Sequence, residues 1–223
     1  MQQQEKITQK HFNDLVKVQS SYNYENALLW LEKWGKKLYG KQFKIYEKDK
    51  SVIYPLICYF LKDEVVAAQL QINLNKGILL TGPIGCGKTS LMTLMRLFEP
   101  ADSRFIMKSC RDVSFEFIKD GYDVIYRYTQ KSFHPNTHLP KHYCFDDLGT
   151  ENNLKYFGNE CNVMAEVILS RYDFFVPRKL MTHLTSNLSA SEIEDTYGNR
   201  VRSRMREMFN LMAFNKESID KRK

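Results

Sequence analysis

Residues 77–98 constrain the fold of this chain more than any other stretch. Gly77-Ile78-Leu79-Leu80-Thr81 is a short unbroken apolar run, the texture of a strand buried on both faces of a parallel sheet. Residues 82–90 follow as GPIGCGKTS. Leu91, Leu94, Met95 and Phe98 then recur at helical spacing and stop before Pro100. Strand, glycine-rich loop and helix form the context that the pattern G-x-x-x-x-G-K-[ST] needs, and Gly82, Gly87, Lys88 and Thr89 satisfy it. Glycines let a backbone wrap phosphates with its N–H groups turned inward, and the helix that follows offers its positive end to the anion. Lys88 supplies a point charge for the β- and γ-phosphates, and the Thr89 hydroxyl suits Mg2+. The expected cradle is Gly82, Pro83, Ile84, Gly85, Cys86, Gly87, Lys88, Thr89 and Ser90, with ATP and Mg2+ as its ligands.

The rest of the chain continues the alternation. A helix is expected over 57–74, a second strand over 104–108, and two helices over 113–127 parted by Gly121. Tyr143-Cys144-Phe145 is a third strand. Met164, Val167, Ile168, Tyr172 and Phe175 mark a helix that stops before Pro177. A fourth strand is expected over 180–185, short helices over 193–197 and 200–208, and a last strand over 211–214. Alternating strands and helices imply an α/β fold built on a parallel sheet, a P-loop nucleotide-binding core.

The third strand runs into Asp146 and Asp147, two carboxylates at the end where parallel sheets open their ligand crevice. Adjacent acids there are costly unless a cation neutralises them. Asp146 is placed to hold Mg2+, directly or through water, and Asp147 to polarise an attacking water. Asn187, at the end of the fourth strand, is a candidate to orient that water or to touch the γ-phosphate, although asparagine after a strand is also ordinary turn chemistry. Arg200 and Arg204 share a face of the 200–208 helix, which reads either as a solvated basic helix or as a source of arginine for phosphoryl transfer.

The first fifty residues differ in texture. They are polar and lysine-rich, with Leu28, Leu29, Trp30, Leu31 and Trp34 suggesting one amphipathic helix that ends near Gly35. Two segments are expected: 1–50 as a basic, mostly helical extension that either docks a partner or is merely solvated, and 51–223 as the nucleotide-binding domain. The net charge of +7 fits a polyanionic partner, most often nucleic acid. No apolar run is long enough for a membrane span, and residues 1–6 lack a signal-peptide pattern, so a cytoplasmic location is expected. Cys58, Cys86, Cys110, Cys144 and Cys161 contain no CxxC pair and read as reduced thiols, with Cys86 open to alkylation inside the loop. His134, His138 and His142 recur every four residues, but Pro135 and Pro140 interrupt any helix that would gather them on a metal.

In order along the chain, GPIGCGKTS, FDDLGTE (residues 145–151), LTSN (184–187) and YGNRVRSRMREMFN (197–210) resemble AAA+ ATPases, and more closely their DnaC/DnaI helicase-loader and IstB branch. The resemblance spans residues 51–214. It implies Walker A roles for Lys88 and Thr89, Walker B roles for Asp146 and Asp147, and a sensor-1 role for Asn187. It makes Arg204, in its Ser-Arg pair, the arginine finger acting in trans, with Arg200 as the alternative. A finger in trans implies a homo-oligomer in the ATP state. The resemblance also sets the helical insert, residues 113–131, near single-stranded DNA. Lys119, Arg127 and Lys131 with Tyr126 and Tyr128 would line that surface, while Phe115 and Phe117 are expected in the core. The sequence departs from the AAA+ pattern in carrying Asp147 where many members have glutamate. Little chain follows the last strand, so the C-terminal helical lid is expected to be minimal or absent.

Several functions share these features. The first is a DnaC-like loader that binds single-stranded DNA and hands on a replicative helicase. The second is an IstB-like transposition helper that assembles on duplex DNA and recruits a transposase. A P-loop kinase of small molecules belongs to another class, and the acid pair with the arginine-rich helix argues against it. An ATP-gated scaffold without turnover is a fourth.

Overall fold

The computed structural model describes residues 22–151, 154–156 and 159–222. Residues 1–21 of the expected extension lie outside them. The chain divides into two compact units, 22–74 with Ser90–Pro100 and Asn75–Thr89 with 101–222.

In the first unit, α1 (Tyr24–Tyr39) starts at Asn23, whose side chain accepts from the Asn26 N–H. The helix runs through Gly35 and ends at Gly40, contrary to the expected stop. Gly35 is spent on packing: a Cβ there would lie 2.1 Å from the Phe43 ring. The helix expected over 57–74 is two helices, α2 (Lys50–Leu61) and α3 (Glu64–Gln69). Lys62 adopts a left-handed conformation (φ 57°) that ends α2, and the Asp63 carboxylate accepts from Val66 N–H to start α3. Asp63 also accepts from the Tyr24 hydroxyl at 3.0 Å, and Tyr54 donates to Glu25 at 2.6 Å, so α1 is pinned to both helices. Trp30 packs its ring 4.9 Å from that of Phe98.

The second unit carries the sheet. Its strands are β1 (Gly77–Thr81), β2 (Ile106–Ser109), β3 (Tyr143–Leu148), β6 (Thr182–Ser186) and β7 (Phe209–Ala213), in the order β2-β3-β6-β1-β7 and all parallel. Counted along the chain, that is order 2-3-4-1-5. A separate hairpin, β4 (Leu154–Tyr156) with β5 (Asn159–Cys161), follows the acid pair and was not expected from the sequence. Helix α4 (Lys88–Met95) leaves the glycine-rich loop, and α5 (Cys110–Asp120), α6 (Asp123–Tyr128), α7 (Val163–Arg178) and α8 (Ala190–Met208) follow. Pro177 sits inside the last turn of α7 rather than beyond it.

Phe145, Leu184 and Leu79 stand side by side in register on one face of the sheet, and they join Val113, Phe117, Met164, Ile168 and Met205 in the core. Strands buried on both faces explain why β1 and β3 read as unbroken apolar runs. Helix α8 begins with a reciprocal cap between Ser189 and Glu192 and breaks at Gly198 (φ 84°), the point where two helices were expected. Arg202 pairs with Glu194 across the break. After β7, residues 214–222 form no helix. Among the described residues, no helix is long and apolar enough to cross a membrane.

Candidate active site

The glycine-rich loop joins β1 to α4. Gly82, Gly85 and Gly87 all have positive φ (154°, 80° and 99°), conformations in which a side chain would be strained. Lys88 is buried, and its ammonium donates to the carbonyls of Gly82 (2.9 Å) and Pro83 (3.1 Å), so it spans the loop. Ile84 is exposed at the tip. The Cys86 thiol is fully buried, which corrects the expectation that it lies open to alkylation.

Across from the loop, the Asp146 carboxylate is reached by two hydroxyls. Thr89 lies 3.1 and 2.9 Å from its two oxygens, and Thr185 lies 2.6 Å from Oδ1. Burial pushes the Asp146 carboxyl above the ordinary aspartate range. The Thr185 and Thr89 hydroxyls and the Lys88 cation pull it down, while the neighbouring Asp147 carboxylate adds to the push. A buried carboxylate beside a second acid, with a threonine hydroxyl at hand, is a set of hard oxygen donors. It fits Mg2+, which keeps several waters and takes few protein ligands. Thr89 and Asp146 are the residues that would hold it.

Asp147 has φ 57°, rare for a non-glycine residue, and the β3–β6 register slips between Phe145 and Leu148. This irregularity turns consecutive acids away from simple strand alternation. Its backbone is fixed from both sides: the Asp147 N–H donates to Thr185 Oγ1 at 2.8 Å, and its carbonyl accepts from the Thr150 hydroxyl at 2.7 Å. The remainder of FDDLGTE is explained by the same turn. A Cβ at Gly149 (φ 102°) would lie 2.6 Å from Leu188. Glu151 accepts from the Gly149 N–H at 2.9 Å and from the Tyr197 hydroxyl, which ties the acid loop to α8.

Thr185 is the residue that sequence reasoning missed. It touches both acids, and its signal was present: a β-branched hydroxyl residue one place before the end of a strand that leads into Asn187. Asn187, two residues on, is exposed beyond the end of β6. Arg200 and Arg204 do face one cleft, shared with Glu166, Ser170, Tyr172 and Asp173 of α7. Arg204 lies over the Tyr172 ring (4.3 Å) and donates to the Tyr172 hydroxyl and to Glu207, both at 3.1 Å. Arg200 is exposed.

The helical insert departs from its expected composition. Phe117 is fully buried, but Phe115 is 54% exposed; residues two apart on a helix point to nearly opposite sides, so both could not reach the core. Tyr128 is buried and donates to Glu116, leaving Tyr126 as the exposed ring of the expected pair. Arg127 is bridged to Glu116 and Asp120, each at 2.6 Å, and Lys108 to Glu116 at 2.6 Å. Lys131 lies 3.7 Å from Asp123. Within the insert, Arg127 is therefore the cation held firmly by acids, while the exposed Lys131 pair is loose. His142 accepts from the Met181 N–H through Nδ1, and no group of three or more His, Cys, Asp or Glu side chains able to hold a metal assembles among the described residues.

No protein-family profile matches the sequence, and no curated protein matches it. Among solved structures, the chain is similar to a candidate primosome component from Streptococcus pyogenes serotype M3, at 16% identity over 78% of this chain and 83% of that one, with a TM-score of 0.52. A DnaC helicase loader matches at 16% identity over 93% of this chain and 100% of that one, with a TM-score of 0.44. AMPPCP-bound DnaA from Aquifex aeolicus matches at 18% identity over 78% of this chain and 48% of that one, with a TM-score of 0.49. At such identities the likeness concerns the fold. In this chain that fold is a five-stranded parallel sheet in the order 2-3-4-1-5, with the glycine-rich loop after the first strand and the acid pair on the third.

Proposed function

We propose that this chain is an ATP-hydrolysing, DNA-associated AAA+ protein acting as a helicase loader on single-stranded DNA. The observation that carries the nucleotide site is the convergence of Thr89 of the loop and Thr185 of β6 on the buried Asp146 carboxylate, with Lys88 held across the loop beside them. In this reading the loop N–H groups and Lys88 bind the triphosphate. Thr89 and Asp146 hold Mg2+, which when bound offsets the phosphate charge. Asp147 accepts the proton of the attacking water, and its fixed, left-handed backbone holds it to that task. Arg204 or Arg200 of an adjacent subunit steadies the transition state, which makes the ATP form a homo-oligomer.

The loader reading rests on the resemblance of FDDLGTE, LTSN and the arginine-rich segment to the DnaC/DnaI branch. Arg127 is held by Glu116 and Asp120, so the contact surface of the insert is proposed to be Lys119 and Lys131 with the exposed rings of Phe115 and Tyr126. The first fifty residues are proposed as the docking element for a replicative helicase, with the domain proper from residue 51.

Binding to single-stranded and duplex DNA, each with ATP and ADP over a salt series, tests the reading. ATP-dependent preference for single strands with a steep salt slope is expected. Preference for duplex DNA would replace the loader with a transposition helper that recruits a transposase. Absence of DNA binding in every nucleotide state would remove both and favour a small-molecule phosphate acceptor.

A further inference from the structure

Beyond β7 the chain does not leave the site. Phe214 N–H donates to the Thr81 carbonyl at 2.9 Å, a turn closes from Ser218 N–H to the Asn215 carbonyl, and the segment comes back against the glycine-rich loop. There Lys221 makes two hydrogen bonds to consecutive loop peptides. Its backbone N–H donates to the Gly85 carbonyl at 3.0 Å, and its ammonium donates to the Cys86 carbonyl at 2.6 Å. The ammonium also stands 5.0 Å from the Phe214 ring. The segment lies close over the loop: a Cβ at Gly85 would lie 2.1 Å from the Asp220 carboxylate, which would have to move aside, and one at Gly87 would make an ordinary 3.7 Å contact with the Lys221 side chain.

We infer that Lys221, which belongs to no recognised motif, is a positioning residue of the phosphate loop. The inference rests on the reading of residues 82–90 as an ATP site. In a trans peptide the carbonyl of one residue and the N–H of the next point to opposite sides, and no peptide of the described chain is cis. Fixing the Gly85 and Cys86 carbonyls on Lys221 therefore turns the Cys86 and Gly87 N–H groups to the other side of the loop. The Cys86 N–H closes onto Pro83 at 3.4 Å and shapes the loop, and the Gly87 N–H is directed away from Lys221, which leaves it to the side of the loop opposite that lysine. Glycines give the loop the conformations it needs but also leave it many others, and ordering them costs entropy. A short, charge-assisted bond from Lys221 offsets part of that cost before the nucleotide arrives.

The test uses the full chain and two variants. Lys221→Met removes the ammonium and keeps the backbone bond to Gly85; Lys221→Arg restores a cationic donor. ATP affinity is measured by calorimetry, backbone amide exchange is followed in the peptide covering 82–90 without nucleotide, and thermal unfolding serves as the control. Lys221→Met is expected to bind ATP about tenfold more weakly, the equivalent of one lost hydrogen bond to a charged donor, and to exchange faster in the loop, with an unfolding midpoint within about 2 °C of the parent. Lys221→Arg is expected to recover both readouts. Parent-like affinity in Lys221→Met overturns the inference. So does weaker binding with unchanged loop exchange, which would make Lys221 a direct contact of the nucleotide. Failure of the parent chain itself to bind ATP would overturn the site along with it, and is told apart by the parent alone.

Discussion

Thr185→Val is the substitution for which the site geometry gives a worked magnitude. Valine has the shape of threonine, and Thr185 is fully buried, so the exchange leaves no cavity. What it removes is one oxygen with two bonds: the donor to Asp146 at 2.6 Å and the acceptor for Asp147 N–H at 2.8 Å. A buried N–H left unpaired costs about 1–3 kcal/mol, and a hydrogen bond to a charged group is worth about 1.5–3 kcal/mol. Because the two bonds share one oxygen they do not add fully, and a net loss of about 3 kcal/mol is expected by urea denaturation. The pH dependence follows from the same contacts. The folded Asp146 carboxyl titrates above its unfolded value of about 3.9, so its contribution to stability is complete below that pH and is lost as pH rises through the folded value. Without the Thr185 hydroxyl this loss extends to higher pH. Mg2+ added at neutral pH should restore stability in the parent, and progressively less as the pH falls and the carboxyl takes up its proton. A Thr185→Val variant within about 0.5 kcal/mol of the parent, or one whose Asp146→Asn double-mutant cycle shows no coupling, would refute the reasoning.

Lys88→Ala is expected to weaken ATP binding about hundredfold or more, since it deletes the charge held at the Gly82 and Pro83 carbonyls; equal affinity by titration would remove the loop as the nucleotide site. Arg204→Ala is expected to keep ATP binding and to lose hydrolysis by about a thousandfold, with turnover regained on mixing with Asp147→Asn subunits. If Arg200→Ala alone shows that pattern, the exposed arginine is the finger and Arg204 belongs to the Tyr172–Glu207 cluster. Arg171→Met tests a buried cation whose guanidinium bonds the carbonyls of Tyr128 and Met181 and the hydroxyls of Ser132 and Thr182. Removal is expected to destabilise by about 3–5 kcal/mol, and a change below 1 kcal/mol by denaturation would show that those groups find other partners.

The elements carrying the chemistry were legible because their signals are local. An apolar strand, three glycines, a lysine and a threonine are contiguous in sequence, and so are the strand and acids of 143–147. The break in α8 was legible from Gly198. The boundary between α2 and α3 was not, because a residue such as Lys62 carries no mark of a left-handed conformation. Gly35 misled for the opposite reason: it reads as a helix stop, and only the Phe43 ring shows it to be a packing glycine. Phe115 and Phe117 look alike in sequence, and helical geometry sends them to different sides.

What the sequence determined by itself was the α/β class, the order of the five sheet strands along the chain and the residues proposed to meet phosphate and magnesium, since each depends on residues within a few positions of one another. What only the tertiary structure decided was the spatial strand order, the joining of Thr185 and Thr89 on Asp146, the pairing of Arg127 with Glu116 and Asp120 and the return of Lys221 to the glycine-rich loop. Those contacts link residues as far apart in sequence as Gly85 and Lys221. Nothing in the spacing of such pairs marks them, because their proximity is created when the sheet and its helices close around a common core.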